Sequence, residues 1–234
     1  MSDIHILNIK DRAYPKLLRE IHNPPQQLYI RGNIALLSHS RLLAVVGSRQ
    51  ATAYGAQALH TLLSPAIEKD IPIVSGLALG IDSLAHELCV KMKRPTIAVL
   101  GTGIDDAGVY PRQNLTLAHA ILKFGGVLVS EYPIGTKVFK GNFPARNRII
   151  VGLCAATLVI EAAEKSGSLI SARLAMESNR EVLAVPGPIT ELTSVGTNQL
   201  IHDGATPALH ANDLLEIYQT SKQEVSLPLP ISVL

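Results

Sequence analysis

The stretch that decides the fold class runs from Leu42 to Lys69 and reads LLAVVGSRQATAYGAQALHTLLSPAIEK. It begins with a continuous apolar run of strand length, which ends at Gly47-Ser48-Arg49, and apolar residues at helical spacing follow from Ala53 to Lys69. A strand without alternating polar residues is buried on both faces. The stretch therefore predicts a strand, a tight turn and a helix that belong to a sheet covered by helices on both sides.

The same unit recurs downstream. The apolar runs predict further strands at Ile71 to Val74, Thr96 to Leu100, Val127 to Ser130, Thr157 to Ile160 and Val182 to Val185. Helical spacing predicts helices at Ile81 to Met92, Leu115 to Phe124, Pro144 to Cys154, Ser168 to Ser178 and Ala211 to Tyr218. Regular alternation of buried strands and helices predicts an α/β fold built on an open, mainly parallel sheet with helices on both faces.

Composition limits the classes of protein that are possible. The chain has 234 residues, of which 47% are hydrophobic, and no apolar run approaches the roughly 18 residues that a membrane span requires. The amino terminus is charged and lacks an apolar signal core, so we expect a cytoplasmic protein that does not contact membranes. Cys89 and Cys154 lie in apolar helical contexts and are predicted to be buried thiols. The formal net charge is only +2, so any nucleic-acid site must depend on where the charges lie.

One basic stretch stands out, from Thr136 to Arg148, with the sequence TKVFKGNFPARNR. It contains four cations, no acidic residue and two of the three phenylalanines of the chain. Cations that meet phosphates and aromatic faces that stack on unpaired bases suit a single-stranded nucleic acid. Pro144 is expected at the first position of the next helix, whose N–H groups also favour anions. A solvated basic loop that leads into a core helix explains the same residues equally well.

Small residues follow nearly every predicted strand. They are Gly47-Ser48, Ser75-Gly76, Gly101-Thr102-Gly103, Ser130 and Ser166-Gly167-Ser168. Ligands of open α/β sheets bind outside the carboxyl ends of the strands, and small residues there leave backbone N–H groups accessible. The pattern predicts a groove lined with phosphate-binding groups, although tight turns alone also require small residues.

No motif in the sequence supports catalysis or a cofactor. Asp106 occupies the position of the third glycine in a dinucleotide fingerprint that begins at Gly101, and no phosphate-binding loop of the GxxxxGK[ST] type occurs. Asp82 is expected to cap its helix with His86 as a hydrogen-bonded neighbour, so no metal site is predicted. Glu131 and Glu161 suit either an acid and a base or carboxylates that orient nearby arginines. We therefore predict no catalytic residue, no cofactor and no metal.

Taken together, several segments resemble the DprA/Smf family of DNA-processing proteins. They are VVGSRQATAYG (Val45 to Gly55), VSGLALGIDSLAH (Val74 to His86), AVLGTGIDDAGVYPRQN (Ala98 to Asn114), GGVLVSEYPIG (Gly125 to Gly135), GNFPARNRIIVGLC (Gly141 to Cys154), VIEAAEKSGSLISARLA (Val159 to Ala175) and VLAVPGPI (Val182 to Ile189). The segments occur in the order of the family and extend from about Leu42 to Ala205.

The resemblance implies a Rossmann-like domain that binds single-stranded DNA during natural transformation, protects the incoming strand and helps to load the RecA recombinase. It also implies a homodimer that is not an enzyme. The DNA-binding residues that it implies are Gly47, Ser48, Arg49, Lys140, Phe143, Arg146, Asn147, Arg148, Ser166, Gly167 and Ser168. The dimer residues that it implies are Asn198, Ile201, His202 and Pro207.

The residues themselves suggest a division of the chain, and the comparison with the family shows a place where the sequence departs from it. Residues 1–40 are expected to be an extension packed on the main domain, 41–219 the Rossmann-like DNA-binding domain, and 220–234 a tail or linker without a winged-helix domain. Asp105 and Asp106 place extra negative charge near the expected DNA site.

A second interpretation is a nucleoside monophosphate phosphoribohydrolase of the lysine-decarboxylase-like type. Its PGGxGTxxE motif is absent, and Ala172 or Arg173 stands where the catalytic glutamate is expected.

Overall fold

The computed structural model describes residues 4–220, and the expected tail at 220–234 therefore lies almost wholly outside the described residues. The strands are β1 (Ile4–Asn8), β2 (Gln27–Gly32), β3 (Leu43–Val46), β4 (Ile73–Ser75), β5 (Thr96–Leu100), β6 (Val127–Ser130), β7 (Ala156–Val159), β8 (Glu181–Ala184) and β9 (Thr206–Pro207). The helices are α1 (Lys16–Arg19), α2 (Ala53–Glu68), α3 (Ile81–Lys91), α4 (Leu115–Lys123), α5 (Asn142–Gly152), α6 (Gly167–Glu177), α7 (Val195–His202) and α8 (Ala211–Thr220).

All nine of these strands form one sheet in the order β1-β2-β6-β5-β4-β3-β7-β8-β9. The strands from β6 to β9 along this order are parallel to one another, whereas β1 and β2 join the sheet antiparallel at the β6 side. The predicted α/β fold with a mainly parallel sheet is confirmed.

Burial on both faces explains the continuous apolar strands. Leu43 and Val45 of β3 pack into one hydrophobic cluster, and Ala44 and Val46 pack into another. Successive side chains of a strand point to opposite faces, so both faces of β3 are covered by core. A polar residue at any of these four positions would be buried without an exposed face to turn to, which is why the strand reads as an unbroken apolar run.

Some local predictions hold and one helix start does not. Cys89 and Cys154 are buried and free, as predicted. Helix α5 begins at Asn142, so Pro144 is its third residue and not its first. Proline fits the whole first turn because the N–H groups there have no partner within the helix, and the residue alone therefore does not locate the start. Among residues 4–220, no helix is long and apolar enough to cross a membrane.

Candidate nucleic-acid interface

The chain reverses its direction of travel across the sheet between β3 and β7. From β3 it proceeds through β4, β5 and β6 on one side, and it then returns to place β7, β8 and β9 on the other. Because β3 and β7 are parallel neighbours, a crevice opens where their carboxyl ends meet, and such crevices are the usual ligand sites of open α/β sheets.

A cleft of about 580 Å³ occupies this crevice. It is lined by nearly all of the residues that the sequence assigned to DNA, namely Gly47, Ser48, Arg49, Phe143, Arg146, Asn147, Ser166, Gly167 and Ser168. Their contact with DNA stays a prediction, but the fold brings them to one place from three separate segments of the chain. Lys140 and Arg148 are not in the lining.

The first wall of the cleft is the turn that follows β3. A side chain at Gly47 would place its Cβ atom 2.5 Å from Ile81 Cγ1, so glycine lets α3 pack directly against the turn. Ile81 N donates a hydrogen bond to Ser48 O at 3.0 Å. Ser48 Oγ accepts from Gln50 N at 3.1 Å and donates to Gln50 O at 2.9 Å, which closes the turn. The exposed Arg49 side chain forms no hydrogen bond or ion pair with residues 4–220, so its guanidinium is available to a ligand.

The opposite wall is the start of α6. Ser166 Oγ accepts a hydrogen bond from Ser168 N at 3.3 Å and lies 2.6 Å from Ser168 Oγ. Gly167 is exposed and has no atom within 4 Å of the place where a Cβ would be. The first turn of α6 contains no acidic residue, so the positive end of the helix dipole faces the cleft without compensation. Lys165, which sequence reasoning did not single out, adds a cation to this wall.

Arg146 forms the floor of the cleft and is only 4% exposed. Its Nη1 donates to Gly76 O at 2.7 Å and also to Val99 O. Burial lowers the pKa of Arg146 to about 10, a change that the nearby Asp82 carboxylate opposes, so the guanidinium stays charged at neutral pH. A Cβ at Gly76 would lie 2.3 Å from Arg146 Nη1, which explains the glycine at the end of β4.

Asp82 does not cap its helix, and this expectation was wrong. The residue at the cap position is Gly80, and the buried Asp82 carboxylate accepts hydrogen bonds from Gly76 N at 3.1 Å and Ala78 N at 3.4 Å. Burial raises the pKa of Asp82, and the charge of Arg146 acts in the opposite direction. Asp82 is therefore a structural counter-ion beneath the cleft, and from the first turn of α3 it holds the segment that precedes the helix.

Phe143 lies between the main cleft and a smaller cavity of about 110 Å³. Its ring centroid is 5.6 Å from that of Tyr110, with an angle of 41° between the rings. The two cavities share Arg49, Ala78, Phe143 and Arg146. Sequence reasoning missed Tyr110, although its position in the turn after Asp106 lies beyond the carboxyl end of β5.

The structure separates Arg148 from the cleft. Its guanidinium pairs with Glu131 Oε1 and donates to Asn23 O at 2.8 Å and Ala145 O at 2.9 Å. These bonds fix α5 to the amino-terminal segment, so Arg148 has a structural role, and its contact with DNA stays a prediction that the cleft lining does not support. Lys140 lies exposed on the loop before α5, outside the cleft lining.

The remaining carboxylates near the crevice have structural partners. Glu131 orients Arg148, as one of the two interpretations predicted. Glu161 is 2% exposed, and its carboxylate accepts from Thr52 N at 3.1 Å and from the Thr52 hydroxyl. Asp106 pairs with Arg31 at 2.6 Å, so the Arg31 guanidinium balances its negative charge. Among the described residues that line the cleft, Asp82 is the single acidic one.

The four residues expected at a dimer interface lie around α7 and β9. The Asn198 side chain is bonded to Gly187, accepting from its N–H at 3.1 Å and donating to its O at 3.0 Å. Ile201 is half-buried against the core, whereas His202 and Pro207 are exposed. Asn198 thus fixes a loop of its own chain, and the other three remain candidates for contact with a second copy.

The chain was compared with family models, curated proteins and solved structures. The family model for "DNA recombination-mediator protein A" matches residues 5–219. DNA processing protein DprA of Bacillus subtilis is 42% identical over 213 residues, which cover 91% of this chain and 71% of that protein. The matches cover 64% and 52% of the length of two further curated relatives.

Two solved structures are similar over most of the chain. DNA processing protein A of Streptococcus pneumoniae is 40% identical with a TM-score of 0.85, covering 92% of this chain and 74% of that one. DNA processing protein A of Helicobacter pylori, described for its single-stranded DNA binding mode, is 30% identical with a TM-score of 0.81 and covers 95% and 99%. Molybdenum cofactor binding protein of Rippkaea orientalis, at 16% identity and a TM-score of 0.54, shares the fold alone.

Proposed function

This chain belongs to the DNA recombination-mediator protein A family, and from that membership and the cleft we propose that it binds single-stranded DNA without catalysing a reaction on it. The observation that carries the proposal is the exposed, unpaired Arg49 on one wall of the cleft, with the amino-terminal end of α6, whose first turn contains no acidic residue, on the other and Phe143 at the edge. The single-stranded DNA binding described for the relative from Helicobacter pylori supports it.

The residue types of the cleft favour an unpaired strand over a duplex. Arg49, Lys165 and the N–H group of Gly167 suit phosphate oxygens, which carry no sequence information. Phe143 offers a face to a base, and base–aromatic stacking requires a base that is free of its own duplex stack. Binding of this kind tolerates most sequences and weakens steeply with salt.

As part of the same proposal, the bound strand is an incoming strand in the cytoplasm during natural transformation, and it is passed to the RecA recombinase. The family description, a mediator of DNA recombination, supports this place in the process. We also propose that the protein acts as a homodimer that uses Ile201, His202 and Pro207. Ile201 and His202 end α7, and Pro207 belongs to β9, the edge strand of the sheet.

The test is fluorescence anisotropy of a labelled oligo-dT strand and its duplex counterpart, titrated with the wild type and with Arg49→Ala at two salt concentrations. We expect the wild type to prefer the single strand and Arg49→Ala to bind it more weakly. The slope of log affinity against log salt should also fall by about 0.7 if Arg49 neutralises one phosphate.

Arg94→Ala is the matched control. Arg94 pairs with Asp70 at 2.6 Å. It comes just before the amino end of β5, whereas the cleft lies at the carboxyl ends of the parallel strands. This variant removes the same charge and should bind the strand as the wild type does. Equal losses in the two variants would mean that net charge, and not the cleft, governs binding. A folded wild-type protein that binds no strand would contradict the proposal itself.

A further inference from the structure

The loop of residues 131–141 joins β6 to α5, and its two halves differ. The first half is fixed to the body of the protein, because Gly135 N donates to Asp105 Oδ1 at 3.1 Å and Thr136 O accepts from Gly103 N at 3.5 Å. In the second half, residues 137–140 have exposed side chains that form no hydrogen bond or ion pair with any residue in the range 4–220. This half of the loop is therefore available for contact with another molecule.

Phe139 is the aromatic residue of this half, and it is 66% exposed. One edge of the ring lies against the backbone of Gly141, where a Cβ atom would be 2.7 Å from Phe139 Cε1. The ring belongs to none of the hydrophobic clusters formed by the described residues. Packing within the protein therefore does not account for a large aromatic group at this position.

The charges around Phe139 favour a polyanion. Lys137 and Lys140 flank it, and the sequence contains no Asp or Glu between Glu131 and Glu161. Phe139 O accepts a hydrogen bond from Asn142 N at 3.1 Å, so the residue lies directly at the start of the helix that carries Phe143. Phe139 and Phe143 are thus four residues apart in the sequence, with Lys140 between them. The ring of Phe143 lies at the cleft and that of Phe139 lies outside it.

We propose that Phe139 is a second base-stacking residue and that Lys137 binds the phosphate beside it, so that a strand leaving the cleft past Phe143 continues over the loop. The inference rests on the proposed function and deepens it, because each protein chain then holds nucleotides beyond those in the cleft. Gly141 serves this site by leaving room for the Phe139 ring against the helix start.

The experiment is the same oligo-dT titration with Phe139→Ala, Phe139→Leu and Phe139→Trp, and with Val138→Ala as the matched control. Val138 is 50% exposed on the same loop, so its truncation removes a comparable apolar contact without an aromatic face. We expect roughly ten-fold weaker binding by Phe139→Ala and Phe139→Leu, and wild-type affinity for Phe139→Trp and Val138→Ala. Lys137→Ala should lower the salt slope by about 0.7.

Each contrary result points to a different failure. If Phe139→Leu binds as tightly as the wild type, the contact is not stacking and the inference fails. If Phe139→Ala also binds normally while Arg49→Ala does not, the strand uses the cleft alone, and the proposed function survives without the loop. If the wild type binds no strand, both proposals fail together. Because Phe139 is exposed, loss of folding is not expected in its variants, and circular dichroism of each variant checks this.

Discussion

Arg146 illustrates how a buried charge shapes the site. Its guanidinium is held by two backbone carbonyls and lies near Asp82, and it places a positive charge at the floor of the cleft. Burying an ion is costly unless a counter-ion and hydrogen bonds compensate for the lost water. Asp82 supplies that compensation from below, so Arg146 stabilises the floor while the exposed Arg49 remains free to meet the ligand.

His86 gives a prediction about pH at the scale of one residue. The ring is fully buried, and Thr96 Oγ1 donates to Ile73 O, so it accepts from His86 Nδ1 at 2.9 Å. Burial lowers the pKa of His86 to about 3. Between about pH 6.5 and pH 3 the unfolded chain binds a proton that the native ring does not. The free energy of unfolding should therefore decrease as the pH falls from about 6.5 to about 3, by up to about 1.4 kcal/mol per pH unit.

Urea denaturation of the wild type and of His86→Gln at a series of pH values measures this contribution. The variant keeps a polar side chain that can donate to Thr96, but it has no group that titrates, so its pH dependence should be flatter. His60→Gln is the control, because His60 is exposed and its replacement should leave the slope unchanged. Parallel curves for the wild type and His86→Gln would show that the native ring accepts a proton in this range.

At the scale of the element, the start of α2 is tied to the end of β7 through Glu161. Its carboxylate accepts from the backbone and the hydroxyl of Thr52, the residue that caps α2. The cap therefore serves two purposes: Thr52 Oγ1 accepts from Gly55 N at 3.1 Å, and the same hydroxyl donates to Glu161. The turn that carries Arg49 ends at this junction, so the junction helps to set the position of the cleft wall.

Gly55→Ala should reverse the usual effect of that substitution in a helix. Alanine normally stabilises a helix relative to glycine, but a Cβ at Gly55 would lie 2.3 Å from the Glu161 carboxylate. The buried carboxylate would have to move away from Thr52 and lose its hydrogen bonds, so we expect the free energy of unfolding to fall by about 1–3 kcal/mol. Gly167→Ala, in the first turn of α6 with nothing within 4 Å, should be neutral or slightly stabilising. Chemical denaturation of both variants tests the contrast, and equal effects would contradict it.

The elements also show what the sequence can predict. The parallel strands were recognisable because burial on both faces leaves an unbroken apolar run, and their carboxyl ends were marked by small residues such as Gly47 and Gly76. Those two features are local in sequence. The order of the strands, which creates the crevice between β3 and β7, is not local, and the position of the cleft on the sheet became visible only in the fold.

Two side chains have partners that the sequence did not reveal, for the same reason. Arg148 belongs to a basic stretch, but its partners Glu131 and Asn23 lie 17 and 125 residues away in the chain, and only folding reveals them. Asp82 is near the start of a helix, as a capping residue would be, yet its carboxylate turns to the amides of Gly76 and Ala78. A charge pattern therefore gives the composition of the site, while tertiary contacts decide which charges remain free.

At the scale of the whole molecule, the net charge of +2 is too small to attract a polyanion by itself. Attraction must come from an uneven distribution of charge. The charged residues among the 29 between Glu131 and Glu161 are all Lys or Arg. Several nearby carboxylates are paired with Arg148, Thr52 or Arg31. The amino-terminal segment contributes to this arrangement from a distance, since Asn23 helps to hold Arg148 and β2 supplies Arg31. The fold thus concentrates unpaired positive charge at one edge of the sheet.

The proposed homodimer is the prediction that belongs to this scale. A two-fold interface places the same surface of each chain against itself, so an acidic residue near the axis meets its own copy and repels it. His202 and Pro207 are exposed near the β9 edge, and we expect the double variant His202→Asp, Pro207→Asp to be monomeric in sedimentation velocity, with the wild type at twice 25.1 kDa. Lys91→Asp, an exposed change on α3, is the control and should leave the dimer intact. A wild-type chain that sediments at 25.1 kDa at micromolar concentrations would contradict the dimer, whereas a double variant that remains dimeric would place the interface elsewhere on the surface.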